Sequence, residues 1–101
     1  PKRETHIICG MLNTKDVKGF LAPIATQCAS LTTVTIPNEI NAVPSADLAE
    51  LGRSCAIASR EARDVQAALQ DLSQRHPRAR ILICGSLYLA GHVMRENDPD
   101  A

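Results

Sequence analysis

Two short segments carry the residue types best suited to chemistry. Gly85-Ser86 stands between the apolar run Arg80–Cys84 and the segment Leu87–Glu96, which can continue as a helix. A chain that passes directly from strand to helix leaves unpaired backbone N–H groups at the positive end of a helix dipole, a natural seat for a carboxylate or phosphate. The Ser86 hydroxyl would add a hydrogen bond to that anion, and Leu87 and Tyr88 belong to the same turn. The plainer account is that Ser86 only caps its own helix. The second segment runs from Gly10 to Asp16. Here Lys15 would balance phosphate charge, and Asp16 would bind a ribose hydroxyl, a metal-bound water or a substrate amine. The plainer account is an acid favoured in a first helical turn beside a solvated lysine.

What is missing weighs against other chemistries. The chain holds neither a Gly-x-x-x-x-Gly-Lys-Ser/Thr phosphate loop nor a Gly-x-Gly-x-x-Gly fingerprint, so it is not a complete nucleotide-dependent enzyme of either kind. A receiver-type phosphoacceptor needs a pair of acids after its first strand, where this chain reads Cys9-Gly10-Met11. Cys9, Cys28, Cys55 and Cys84 are widely spaced, form no Cys-x-x-Cys pair and have no histidine at metal-ligand spacing. They read as four free thiols in apolar surroundings, suited to a reducing cytoplasm. His6, His76 and His92 are far apart in sequence and receive no catalytic role.

The elements that must position these turns follow from the hydrophobic pattern. Thr5–Met11 is a short apolar run that reads as a buried strand. From Lys15 to Ser30 the residues Val17, Phe20, Leu21, Ile24 and Cys28 recur at helical spacing, with Pro23 expected to kink the helix or force a restart. Leu31–Ile36 is rich in β-branched residues and predicts a second buried strand, followed by a surface loop over Asn38–Ser45. A helix is expected from Ser45, with Leu48, Leu51 and Cys55 on one face. Ala56–Ala58 reads as a very short strand and Ser59–Arg75 as a further helix ended by His76-Pro77. Arg80–Cys84 is the last buried strand. Strands alternating with helices at this spacing predict an α/β domain built of βαβ units, its mostly parallel sheet covered on both faces. Ligands of such sheets collect outside the carboxyl ends of the strands. If the first and last strands are neighbours, both turns open on that one edge.

Composition sets the outer bounds. A length of 101 residues with 45% hydrophobic content supports one modest core, so a single domain over residues 1–101 is expected. One Phe, one Tyr and no Trp leave few platforms for base stacking, and 11 basic residues balance 11 acidic ones. Nucleic acid is therefore not an expected partner. No apolar run approaches the roughly 20 residues that span a bilayer, and Pro1-Lys2-Arg3-Glu4 opens no signal-peptide pattern, so a cytoplasmic protein without membrane partners is expected.

Taken in order, three segments resemble the C-terminal domain of folylpolyglutamate synthase/dihydrofolate synthase enzymes, of the Mur ligase superfamily. They are Cys9-Gly10-Met11-Leu12 followed by Lys15-Asp16, then Val34-Thr35-Ile36-Pro37 before an Asn-containing loop, and finally Arg80 to Gly91. Gly85-Ser86-Leu87-Tyr88-Leu89 with Gly91 is the most specific part, and Ile40–Ser59 the least. Family members often carry an arginine after the Thr-Ile-Pro strand, where this chain has Asn38–Pro44, so any contact made by that arginine is in question. The resemblance implies a Rossmann-like three-layer domain of an ATP-dependent amide ligase. A folate or pteroate carboxylate is phosphorylated, and the amine of L-glutamate displaces the phosphate. In the family, ATP and Mg²⁺ are held mainly by a central ATPase domain of the same polypeptide, over which the C-terminal domain closes. Carried over, Ser86, with Gly85 and Tyr88, would help hold the glutamate, and Lys15 with Asp16 would face the nucleotide across the cleft. The isolated domain is then expected to be inactive.

Three other readings fit the residues. One is a freestanding doubly wound module that binds a protein or small anion without catalysis. Another is the corresponding domain of a different Mur-type amino-acid ligase. The third is a small phosphotransfer domain in which Asp16 accepts phosphate.

Overall fold

The structure, a computed structural model, describes residues 4–13 and 16–85. Four strands and three helices alternate along them: β1 (Thr5–Gly10), α1 (Val17–Ile24), β2 (Ser30–Thr33), α2 (Ser45–Ser54), β3 (Ser59–Glu61), α3 (Val65–Arg75) and β4 (Arg80–Gly85). All strand pairs are parallel, and the sheet order is β3-β2-β1-β4. The expected α/β architecture is thus present, with β1 and β4 as direct neighbours.

The sheet is covered on both faces because its central strand is apolar on both. Ile7 and Cys9 of β1 pack with Met11, Val17, Leu21, Leu31, Leu48 and Ile57 under α1 and α2. Ile8 packs the other way, with Val34, Ile36, Val65, Ala68, Leu72 and Ile83 under α3. An alternating strand with both sides apolar is the signature of a parallel sheet between helical layers. Burial of Leu21, Leu31, Leu48 and Leu72 is complete.

Several element boundaries differ from expectation, each for a local reason. α1 ends at Ile24, one residue past Pro23: proline removes a donor, and the chain beyond it closes through i+3 bonds, Ala25 N–H to Ala22 O (3.3 Å) and Gln27 N–H to Ile24 O (2.9 Å). The ladder of β2 stops at Thr33, yet Val34 and Ile36 remain buried, and Val34 N–H still donates to Cys9 O at 3.0 Å. The short strand falls at Ser59–Glu61 rather than Ala56–Ala58, since Ala56 takes the left-handed conformation (φ 65°) that turns the chain out of α2. Ser59–Arg75 is therefore not one helix. Asp64, extended at φ −159° and ψ 177°, caps α3 by accepting from Ala67 N–H at 2.7 Å, which fixes the helix start at Val65.

Among the described residues, no helix is long and apolar enough to cross a membrane. The segment expected as a final helix, Leu87–Glu96, lies outside the described residues.

Candidate functional site

β1 and β4 run side by side in register, and Gly10 stands opposite Gly85 at their carboxyl ends. β1 connects onward to one side of the sheet through β2 and β3, while the chain returns to the other side for β4. This reversal is the topological switch point, where an open parallel sheet offers a crevice. The two turns singled out in the sequence therefore leave the sheet at the same place.

Gly85 is required by its geometry. Its φ is +87°, and a Cβ there would lie 2.6 Å from Gly10 O and 2.7 Å from the Met11 Sδ. Only glycine reaches this turn without strain and without pushing β1 away. Directly beneath the glycines, Cys9 faces Cys84 across the two strands. Hydrogen bonding to Cys84, together with burial, pushes the Cys9 thiol well above its ordinary value, and the same bond lowers that of Cys84. Cys9, fully buried and held as a thiol, is packing rather than a nucleophile.

The chain leaving β1 is held down by the loop that follows β2. Asn13 N–H donates to Asn41 O (2.7 Å), Val43 N–H donates to Met11 O (2.9 Å), and Leu12 forms an antiparallel bridge with Ala42. Sequence reasoning placed Asn38–Ser45 on the surface and missed this clamp, because backbone pairing between two loops leaves no side-chain signature. The loop also carries Ile40, which is 98% exposed. At the next outlet, Thr33 Oγ1 donates to Ser45 O (2.8 Å) and Ser45 N–H donates to Thr35 Oγ1 (2.9 Å), tying the start of α2 to the end of β2.

Asp16, on the connection that follows β1, is the N-cap of α1. Its Oδ1 accepts from Gly19 N–H at 3.0 Å, and its backbone carbonyl accepts from Phe20 N–H at 3.0 Å. Gly19 makes room for this fold-back, because a Cβ at position 19 would collide with the Asp16 carboxylate. The carboxylate is exposed, so capping the helix and facing a ligand are compatible. Asp16 sits at the cap itself and not within the first turn. Lys15, Ser86 and Tyr88 lie outside the described residues; of the predicted site residues the structure describes Gly85, at the end of β4, and Asp16, the N-cap of α1.

At the described edge β1 and β4 end together at Gly10 and Gly85, and the connections that leave β1 and β2 are paired with each other. No protein-family model and no curated protein matches the chain. Solved structures do. E. coli FolC in complex with DHPP and ADP superposes over 98% of this chain with a TM-score of 0.80 at 22% identity. The fold is that of part of a folylpolyglutamate synthase. A Mycobacterium tuberculosis folylpolyglutamate synthase complexed with ADP and AMPPCP matches over 96% of the chain (TM-score 0.75, 24% identity). A bifunctional folylpolyglutamate synthase/dihydrofolate synthase with Mn, AMPPNP and L-glutamate bound matches over 94% (TM-score 0.73, 21% identity). The chain spans 23%, 24% and 22% of the length of these three synthases, so it corresponds to about a quarter of each. The likeness expected from the sequence is borne out in the fold.

Proposed function

We propose that the chain is a single domain, the C-terminal domain of an ATP-dependent amide ligase that joins L-glutamate to a folate or dihydropteroate carboxylate. The observation that carries this reading is the near-complete superposition on nucleotide-bound synthases, with Gly10 and Gly85 side by side at the switch-point edge expected to meet substrate. In the reaction, the substrate carboxylate takes the γ-phosphoryl group of ATP and ADP leaves. The glutamate amine then attacks the acyl carbon, loses a proton and expels phosphate. Mg²⁺ would supply charge neutralisation at the phosphates, held by the central ATPase domain of the same polypeptide.

The part of this domain is to close the cleft. Closure brings amine and acyl phosphate together and keeps water from the acyl phosphate, both of which favour ligation over hydrolysis. Ser86, with Gly85 and Tyr88, would orient the glutamate, and Lys15 with Asp16 would line the nucleotide side. Asp16 suits a ribose hydroxyl or an ammonium group, as an exposed acceptor on a rigid helix start. A parent enzyme of this kind works in the cytoplasm, where folates and ATP are present.

The test uses the full-length protein that carries this segment. Glutamate-dependent release of ADP in the presence of dihydropteroate or tetrahydrofolate is expected. Ser86→Ala should raise the KM for glutamate more than that for ATP. Equal changes in both would remove Ser86 from the amino-acid site, and a parent that shows no glutamate-dependent turnover with either folate would overturn the ligase reading.

A further inference from the structure

The opposite edge of the sheet carries a second cluster. Glu4 precedes β1, His6 lies near its start, and His76 closes the C-terminus of α3, which runs antiparallel to the strands. One ligand-type atom from each of the three side chains lies within 4.8 Å of those of the other two. His6 is 3% exposed, and its Nε2 is buried without a hydrogen-bond partner. A buried imidazole nitrogen left unpaired is costly, and it implies a missing partner.

We propose that Glu4, His6 and His76 form a binding site for a zinc-class divalent ion. Ligand atoms around a tetrahedral zinc, bound at roughly 2.0–2.2 Å, stand about 3.3–3.6 Å apart. Glu4 Oε1 and His6 Nε2 are separated by 3.5 Å, too far for a charge-assisted hydrogen bond and right for two ligands of one ion. The other nitrogen of His6, Nδ1, lies 2.6 Å from Ser30 Oγ. With Nδ1–H donating to Ser30, the Nε2 lone pair is free and aimed at the site, the arrangement by which an outer partner orients a metal-binding histidine.

His76 supplies the third ligand from a fixed backbone. Its N–H donates to Leu72 O at 2.7 Å and its carbonyl accepts from Ala79 N–H at 3.0 Å. Its ring stacks on that of His6, with centroids 4.1 Å apart and planes 19° from parallel. Two near-parallel stacked rings cannot both direct in-plane lone pairs at one ion, so binding requires the His76 ring to turn out of the stack. The ring is half-buried and borders a cavity of about 230 Å³, also lined by Ser30, Ala58, Ser59, Arg60 and Arg75, which leaves open space on one side. The two cations of that lining, Arg75 and Arg60, both pair with Asp71, at 2.9 and 3.4 Å. Two imidazoles and one carboxylate favour zinc-class ions over the all-oxygen sites of Mg²⁺ and Ca²⁺. A fourth position is left for water, and the site is separate from the crevice at the carboxyl edge.

The test is calorimetric titration of this chain with Zn²⁺ and, separately, with Mg²⁺, followed by Co²⁺ absorption spectra. One Zn²⁺ per chain is expected, no Mg²⁺ at the same concentrations, and a four-coordinate Co²⁺ spectrum without thiolate charge-transfer bands. Glu4→Gln and His76→Ala, both outside the core, should each weaken Zn²⁺ binding at least about tenfold, and Ser30→Ala should do so through His6. Circular dichroism melts of the same variants confirm that each is folded. Zn²⁺ affinity unchanged in folded Glu4→Gln and His76→Ala, thiolate bands showing capture by cysteine, or no uptake at all would each overturn the proposal.

Discussion

Substituting Gly85 by alanine tests the geometry of the crevice most directly. Two costs add at this position. The left-handed conformation at φ +87° costs an ordinary residue about 1–2 kcal/mol. The new methyl, 2.6 Å from Gly10 O and 2.7 Å from the Met11 Sδ, adds about 1–3 kcal/mol of overpacking. The Met11 side chain can move aside, but the Gly10 carbonyl belongs to the central strand and cannot move without bending β1. The expected loss is therefore about 2–5 kcal/mol, a large share of the roughly 5–15 kcal/mol that holds a domain folded. Urea unfolding followed by far-ultraviolet circular dichroism is the assay. The midpoint should fall with little change in slope, and the melting temperature should drop by about 10 °C or more, since each kcal/mol moves it by roughly 4–8 °C in a domain of this size. A Gly85→Ala variant within about 0.5 kcal/mol of the parent would show that the β4 turn does not have this conformation, and the reasoning about the shared edge would fail with it.

Two further predictions rest on separate features. Asp16→Ala should destabilise the chain by about 1 kcal/mol through loss of the α1 cap, while Gly19→Ala should be close to neutral, because better helix propensity offsets the displaced carboxylate; urea midpoints compare the two, and equal losses would contradict the capping geometry. The hydrogen bond from Arg75, with smaller help from Arg60, holds the Asp71 carboxyl below its ordinary value. A depressed folded-state value means that the stabilisation is present above the unfolded value of about 4 and disappears as pH falls through the folded one. The stability gap between the parent chain and Asp71→Asn should therefore narrow as unfolding is followed from pH 5 toward pH 2, and a gap independent of pH would refute it.

How much of this was legible in the sequence depended on how local the cause was. β1 and β4 were readable because their apolar runs are short, abrupt and ended by glycine, and Gly10 and Gly85 prove to share one edge. β3 was not, since Ser59-Arg60-Glu61 carries no apolar residue and is a strand only because Leu31–Thr33 supplies a partner backbone. The start of α3 had a signal that was passed over: Asp64 before Val65, with the helical stripe following, is an N-cap pattern. At the candidate site, Asp16 was recognisable by type, but its cap on Gly19 needed coordinates. The histidine pair was beyond reach, because 70 positions of chain, with two βαβ units and α3 among them, separate His6 from His76.

The clamp between the outlets of β1 and β2 has a consequence for how this edge can change. Loops of an α/β sheet are usually free to vary one at a time, which is why insertions accumulate there. Here Asn13 hangs on Asn41, and Val43 on Met11, so the two connections behave as a single mechanical piece. A residue inserted between Pro37 and Pro44 would shift the path leading to Asp16, and a change after Gly10 would unseat the opposite loop. Amide protons at Asn13 and Val43 should accordingly exchange with solvent in one concerted opening, and evolution can retune this mouth only by altering both loops together.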